Sequence, residues 1–349
     1  MYSIRSENVP EWDWKLSDIS KIEKNNLNVF SCFSCGGGSS MGYKLAGYSV
    51  LGNVEIDPQM MELYKENHNP KYPFLMPIQE FKDIPNSKLP GDLFNLDILD
   101  GSPPCSVFSS SGKREDKWGD AFKFREGQVV QNLDDLFFDF IDVVEKLKPK
   151  VVVAENVKGM ITGVAKGFVS LIITRFKELG YTVQVFLLNA ATMGVPQKRE
   201  RVFFIARRND LNMNPLVLNF NEAPISYGEI RIGKGKTINP ETETYKRWKI
   251  RRPSDRSLGD ITKRETGKAT SFNTILLQNN RVANTIASGS VLLRTDVAEH
   301  VSSEDIIRMQ TFPEDFDFKS ASVQYVCGMS VPPIMMKKIA EQINYQWFK

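Results

Sequence analysis

An α/β fold is what this 349-residue chain predicts: a mainly parallel sheet flanked by helices, with a second, smaller domain. Three observations predict it. Residues 28–208 alternate apolar runs with helical patterns, the texture of parallel strands joined by crossover helices. Residues 209–290 turn irregular, polar and basic, with scattered Gly, Pro and Asn. The length suits two domains, or one large α/β domain with an insertion.

The elements follow in order. "LNVFSCF" reads as a first strand, and "SSMGYKLAG" as the helix after a glycine turn. "YSVLGNVEID" is a second strand. "LFNLDILDG" is a third, ending in the turn "GSPPC". "LDDLFFDFIDVVEKL" is an amphipathic helix with Leu133, Leu136, Phe137, Phe140, Val144 and Leu147 on one face, stopped by Pro149. "KVVVAEN" is a buried strand, and "FVSLIITRFKELG" a helix with Gly180 as its stop. "YTVQVFLLNA" and "RVFFIARR" are two further strands. "SSEDIIRMQTF" starts a helix with Ser302 and Asp305 as a capping pair, and "PPIMMKKIAEQINYQWF" is helical. No internal repeat is present.

Composition narrows the function classes. No run of about 18 apolar residues exists, so no transmembrane helix is expected. The first residues, "MYSIRSENVPEWDWKLSD", lack the apolar core of a signal peptide, which predicts a cytoplasmic protein. Four cysteines do not make a disulfide scaffold. The net charge of +3 is small, but residues 231–268 hold 12 Lys or Arg against 5 Asp or Glu. That local excess points to a polyanion or to a solvated charged face.

Several constellations can carry chemistry. A strand, a glycine cluster (Gly36, Gly37, Gly38, Gly42) and a helix, with Glu55 about 20 residues on, form a nucleoside-cofactor signature. The spacing is G-x-G-x-x-x-G, so a ribose-bearing cofactor without a pyrophosphate fits better, S-adenosylmethionine among them; a plain tight turn is the other reading. Cys32 and Cys35 have the spacing of a zinc or redox pair. Zinc needs two further ligands, and only Cys105, Cys327, His68 and His300 remain, none paired at short spacing. A redox dithiol opens a helix, whereas Cys32 falls inside a strand. Cys105 follows Pro103 and Pro104 at the carboxyl end of a strand, where it is either a nucleophile or a small buried side chain. Glu155 also ends a buried strand, where it is either a partly desolvated carboxyl that can donate a proton or a helix-capping or loop acid. In "QKRER", Gln197, Arg199 and Arg201 share one side of a strand if it begins early, and either grip phosphate or a base edge or form a charged strand entrance.

Taken together and in order, "FSCGGGSSMG", "VEID", "GSPPCSVFSSSG", "LFFDFIDVVEKLKPKVVVAENV", "QKRERVFFI", "RMQTFPEDF" and "CGMSVPP" resemble the bacterial DNA cytosine-5 methyltransferases paired with restriction enzymes. The resemblance covers nearly the whole chain except residues 1–27 and 209–280. It implies an S-adenosylmethionine-dependent methyltransferase (Rossmann-like) sheet, with a catalytic domain at 1–208 plus 319–349 and a target-recognition domain at 209–318. It implies Cys105 as nucleophile toward carbon 6 of a flipped cytosine, Glu155 on ring nitrogen 3 and the exocyclic amine, and Arg201 with Arg199 holding base and phosphate. Phe33 would lie on the adenine of S-adenosyl-L-methionine and Glu55 on its ribose. Further cofactor contacts would come from Ser34, Cys35, Gly36, Gly37 and Gly38, from Ile56 and Ile78, and from Pro103 and Leu136. No metal is implied. The implied partner is double-stranded DNA, with no membrane, a monomeric state, a cytoplasmic, nucleoid-associated location, and a cognate restriction endonuclease acting separately. The segment Ser111–Gln128 would be a lid over DNA. The chain departs from the family pattern at Cys35 (usually glycine), Pro77 (aspartate), Ser106 (glutamine) and Met329 (asparagine). Parts of the sequence also allow a transfer-RNA cytosine methyltransferase, a nicotinamide-dependent oxidoreductase or a catalytically silent DNA-binding module.

Overall fold

A computed structural model of the chain describes residues 10–104, 121–122, 131–132, 136–162, 166–268 and 274–349. Two compact units emerge: Lys21–Asn189, Glu200–Asn219 and Met336–Lys349 form the larger, and Met1–Ser20, Ala190–Arg199 and Phe220–Met335 the smaller. This division differs from the expected 1–208 plus 319–349 and 209–318, for physical reasons. Trp14 is buried and donates from Nε1 to the Thr311 carbonyl at 2.9 Å, and Leu16 N–H donates to Asp315, so residues 10–20 join the smaller unit. The short strand Gln197–Lys198 pairs in parallel with Ala283–Asn284 and takes its neighbours with it.

The larger unit is built on a seven-stranded sheet. Its strands in chain order are β1 (Asn28–Cys32), β2 (Ser49–Glu55), β3 (Tyr72–Leu75), β4 (Ile98–Gly101), β5 (Val151–Val157), β6 (Tyr181–Asn189) and β7 (Glu200–Arg208). They lie in the order β3-β2-β1-β4-β5-β7-β6. The pairs β1–β2, β2–β3, β1–β4 and β4–β5 are parallel, and β7 runs antiparallel to both β5 and β6. Strand β5 is apolar almost throughout because helices cover both faces of a central parallel strand. Strand β3 carries Pro73, which has no N–H to give and is tolerated because β3 is an edge.

Helices α1 (Gly38–Leu45), α2 (Pro58–His68), α3 (Ile78–Asp83), α4 (Leu136–Leu147) and α5 (Lys166–Glu178) connect these strands. Helix α2 starts where Asp57 accepts from the N–H groups of Gln59 and Met60, with Pro58 at the first helical position. Helix α4 buries Phe137, Phe140, Ile141, Val144 and Leu147 against the sheet core, about 1.5–3 kcal/mol for each large side chain. After α5, Gly180 takes φ +81° and returns its N–H to the Lys177 carbonyl, the expected stop. The chain moves outward from β1 to β3 and then, from β4, in the opposite direction to β5. The carboxyl ends of β1 and β4 therefore flank a topological switch point, where open α/β sheets take ligands.

The smaller unit has its own core of Ile238, Trp248, Leu258, Ile261, Leu276 and Leu293. Strand β8 (Thr274–Leu277) pairs in parallel with β9 (Val291–Arg294). Arg294 is buried and reaches Asp305 and Glu299 at 2.7 Å each and the Tyr227 hydroxyl at 3.0 Å. A buried charge so fully paired is tolerable, whereas removing one partner typically costs about 3–5 kcal/mol. The capping pair is half as expected: Ser302 Oγ accepts from Asp305 N–H, but the Asp305 carboxylate turns to Tyr227, Arg294 and the N–H groups of Ile232 and Gly233.

Candidate active site

The glycine turn leaves the carboxyl end of β1 and enters α1. Two of its residues, Phe33 (φ 57°) and Cys35 (φ 46°), take left-handed backbone conformations without being glycine. Gly37 (φ +80°) caps α1, and having no side chain it leaves the helix's first amides without a side-chain cap. A Cβ on Gly37 would stand 2.1 Å from His68 Nε2. His68 is the support beneath the turn: it is stacked on Tyr64, its Nε2 lies 3.2 Å from the Gly36 carbonyl, and Lys44 Nζ lies 3.5 Å from its Nδ1. Nε2 thus carries the proton and Nδ1 accepts from the ammonium. Burial, with the Lys44 charge beside it, pushes His68 well down and keeps the ring neutral.

Glu55, buried at the end of β2, closes the turn. Its Oε2 accepts from Cys35 N–H at 2.8 Å, and its Oε1 from the N–H groups of Ile56 at 2.9 Å and Asp57 at 3.0 Å. A carboxylate has roughly four acceptor positions, so one remains for a hydroxyl. Desolvation pushes this carboxyl up, and the three amides oppose the shift. The Ser34 hydroxyl accepts from Asn53 Nδ2 at 2.8 Å. Phe33 is half-buried, with its ring tilted against Phe140 at 6.5 Å. Ile78 opens α3 and is buried, and Leu136 opens α4 fully inside the sheet core. Uncapped helix amides, an acid at the end of β2 and a half-buried ring make a donor set that fits a nucleoside cofactor with a ribose.

The two cysteines of the opening turn behave differently. Cys32 is buried in β1, and desolvation together with the nearby Asp100 charge pushes its thiol well up, away from the reactive thiolate. Cys35 lies in the turn with its Sγ 3.7 Å from Met60 Sδ.

At the carboxyl end of β5, Glu155 Oε1 lies 2.9 Å from Arg201 Nε, and both side chains are largely buried. The guanidinium of Arg201 also donates from Nη1 to the Glu200 carbonyl. Asn156, which the motifs did not single out, donates from Nδ2 to the Pro103 carbonyl at 3.1 Å. It thereby ties the end of β5 to the Pro-Pro turn. Its signal was the "ENV" that follows the apolar run. Cys105, Ser106 and nearly all of the segment Ser111–Gln128 lie outside the described residues.

Arg199 does not share Arg201's surroundings. Its guanidinium is buried and donates to the backbone carbonyls of Ile286 at 3.1 Å, Gly328 at 2.8 Å and Ser330 at 2.9 Å. Gln197 is likewise internal, reaching Gln310 and Met309 and accepting from Ile286 N–H. The expected one-sided row of Gln197, Arg199 and Arg201 fails because Gln197–Lys198 is a separate strand paired with Ala283–Asn284, while β7 begins at Glu200.

The basic segment is similarly divided. Arg231, Arg247, Arg251 and Arg264 are half-buried and bonded internally: to Asp296, Thr262, the Thr295 carbonyl and Asp255, respectively. Arg251 also stacks on Trp248 at 3.5 Å. Lys234, Lys236, Lys246, Lys249, Arg252, Arg256, Lys263 and Lys268 are exposed.

The model of the C-5 cytosine-specific DNA methylase family matches residues 27–345. The chain is 28% identical over 354 residues to the type II methyltransferase M.FnuDI of Fusobacterium nucleatum, covering 91% of this chain and 94% of that protein. It is 34% identical over 199 residues to M.DdeI of Desulfomicrobium norvegicum, covering 55% of this chain and 43% of that protein. Among solved structures, a DNA modification methyltransferase encoded within an E. coli prophage superposes with a TM-score of 0.67 at 19% identity, covering 93% of this chain and all (100%) of that one. DNMT2 of Spodoptera frugiperda superposes with a TM-score of 0.61 at 16% identity, covering 91% and 99%. These two likenesses establish the fold.

Proposed function

Because this chain belongs to the C-5 cytosine-specific DNA methylase family, it is a DNA cytosine-5 methyltransferase that uses S-adenosyl-L-methionine, and we propose that Cys105, Glu155 and Arg201 carry its reaction. The observation that supports this assignment most directly is the buried Glu155–Arg201 pair at the end of β5, tied through Asn156 to Pro103, two residues before Cys105.

Carbon 5 of cytosine is too weak a nucleophile to take a methyl group unaided. Cys105 Sγ, as thiolate, bonds to carbon 6, and the electron pair of the 5,6 double bond becomes available at carbon 5. Glu155 engages ring nitrogen 3, where a proton neutralises the developing charge. Arg201 fixes the orientation of that carboxyl through its Nε. Bound S-adenosyl-L-methionine supplies an electrophilic sulfonium methyl. A base then removes the carbon 5 proton, the sulfur–carbon 6 bond breaks, and Cys105 is regenerated. Carbon 6 is inaccessible within the base stack, so the cytosine must leave the duplex.

Phe33 faces the adenine and Glu55 takes a ribose hydroxyl. Gly36, Gly37 and Gly38 let the backbone approach the cofactor, with Ser34, Cys35, Ile56, Ile78, Pro103 and Leu136 around it. Arg199 acts at one remove, bracing the backbone rather than the substrate. The exposed cations of the smaller unit contact phosphates of duplex DNA, and a few base-edge contacts choose the sequence. The relatives' type II names favour a protective methylase acting beside a separate endonuclease, and the chain acts as a cytoplasmic monomer.

Incubating the chain with labelled S-adenosyl-L-methionine and either duplex DNA or transfer RNA tests the reading. Label is expected as 5-methylcytosine in DNA. Label in transfer RNA alone would overturn the DNA assignment.

A further inference from the structure

One acid lies where an apolar residue would be expected. Strand β4 reads "ILDG" and is buried along its whole length, yet it carries Asp100. The residue sits beside the switch point, in register with Ser31 of β1, two positions before Phe33. Asp100 Oδ2 accepts from Ser31 Oγ at 2.9 Å and Oδ1 from the Tyr43 hydroxyl at 3.3 Å. Hydroxyl donors from β1 and α1 thus converge on one carboxyl group of β4, beside the glycine turn.

We propose that Asp100 is a positioning residue for the cofactor turn: its carboxylate holds β1 and α1 through Ser31 and Tyr43, and supplies a buried negative charge complementary to a cationic cofactor. The proposal rests on the S-adenosyl-L-methionine-dependent reading. That cofactor carries a sulfonium and an ammonium, and a buried carboxylate nearby is felt strongly because little water screens it.

Desolvation pushes Asp100 up to about 7, with the Glu155 charge adding to the shift and the hydroxyls of Ser31, Tyr43 and Ser39 opposing it. Cys32 on β1, Tyr43 on α1 and Tyr64 on α2 sense its charge, and Glu155 on β5 is the neighbouring acid. A folded acid raised above its unfolded value binds more protons than the unfolded chain, so its ionisation costs stability as pH rises toward about 7. The free protein therefore loses stability as pH rises toward neutrality, a loss that Asp100→Asn does not share, while a cationic ligand favours the ionised form. Binding at neutral pH then releases a proton from Asp100.

Calorimetric titration of S-adenosyl-L-methionine, in buffers of different ionisation enthalpy between pH 6 and pH 8.5, measures that proton. The free cofactor's amine is common to every titration, and a carboxylate near the bound amine only makes it hold its proton more tightly, so excess proton release by the unmutated chain comes from Asp100. The unmutated chain is expected to release more protons near pH 7 than Asp100→Asn, and to bind about tenfold more tightly than that variant at pH 8 but nearly equally at pH 6. S-adenosylhomocysteine, which lacks the sulfonium charge, is expected to show a smaller difference. Should Asp100→Asn not fold, Tyr43→Phe removes one opposing hydrogen bond, and the affinity–pH midpoint is expected to move upward. Equal proton release in both proteins, or an unmoved midpoint in Tyr43→Phe, overturns the proposal alone. Failure of the unmutated chain to bind S-adenosyl-L-methionine overturns the cofactor reading and the proposal with it.

Discussion

Two arginines stand two positions apart in "QKRER" and hold different partners. Arg201 lies on the Glu155 carboxylate, and Arg199 on three backbone carbonyls. Conservative substitutions should therefore separate them. Arg201→Lys keeps a cation beside Glu155 but loses the planar fork, so kcat is expected to fall about 100-fold with Tm nearly unchanged. Arg199→Lys cannot reach all three carbonyls, and each one abandoned in the interior costs about 1–3 kcal/mol. Its Tm is expected to fall clearly, while the folded fraction retains most of its kcat. Thermal melts alongside steady-state kinetics check both. The sequence makes these residues look equivalent because strand alternation puts them on one side. That inference assumes one continuous strand, and the partner of Gln197–Lys198, Ala283–Asn284, lies more than eighty residues away. Glu155 was legible for the opposite reason: an acid closing a run as apolar as "VVVA" is conspicuous locally.

At the scale of the element, the glycine turn combines strain with support. Gly37→Ala meets both a left-handed φ and His68, so the turn must shift. Its affinity for S-adenosyl-L-methionine is expected to fall more than about tenfold, a loss of about 1.4 kcal/mol or more, in calorimetric titration. Cys35→Gly works the other way. A non-glycine residue in left-handed geometry costs about 1–2 kcal/mol, partly offset by the greater freedom of glycine in the unfolded chain. The variant is expected to melt a few degrees higher, with the backbone bond from position 35 to Glu55 kept. Most of the sheet was legible, since β1, β2, β4, β5, β6 and β7 are apolar runs bounded by turns. Strand β3 was not: "YPFL" is short, holds a proline and pairs only at an edge. The support by His68 was equally invisible, because it joins the end of α2 to Gly36 across 32 positions.

For the whole molecule, charge count and charge placement differ. Four arginines of the basic segment are half-buried and bonded within the protein, while eight Lys or Arg are exposed. Removing Lys249 and Arg252 is expected to weaken DNA binding across all sequences and to reduce the salt slope by about 1 for each phosphate no longer neutralised. Arg264→Ala, which strips the partner from buried Asp255, is expected to lower stability instead. A fluorescence titration over a salt series, with thermal melts in parallel, separates the two effects. Composition announced the basic segment but not this division, because burial of an arginine depends on carboxylates and carbonyls brought up by the fold. The unit boundary was hidden similarly: Trp14 near the start of the chain bonds Thr311 near its end. The central claim, that Cys105 adds to the base, is tested most directly by trapping. With duplex DNA carrying 5-fluorocytosine and S-adenosyl-L-methionine, the unmutated chain should form a complex that survives denaturing electrophoresis, and Cys105→Ser should form none. A denaturation-resistant complex with Cys105→Ser, or full DNA methylation by that variant, would contradict the account.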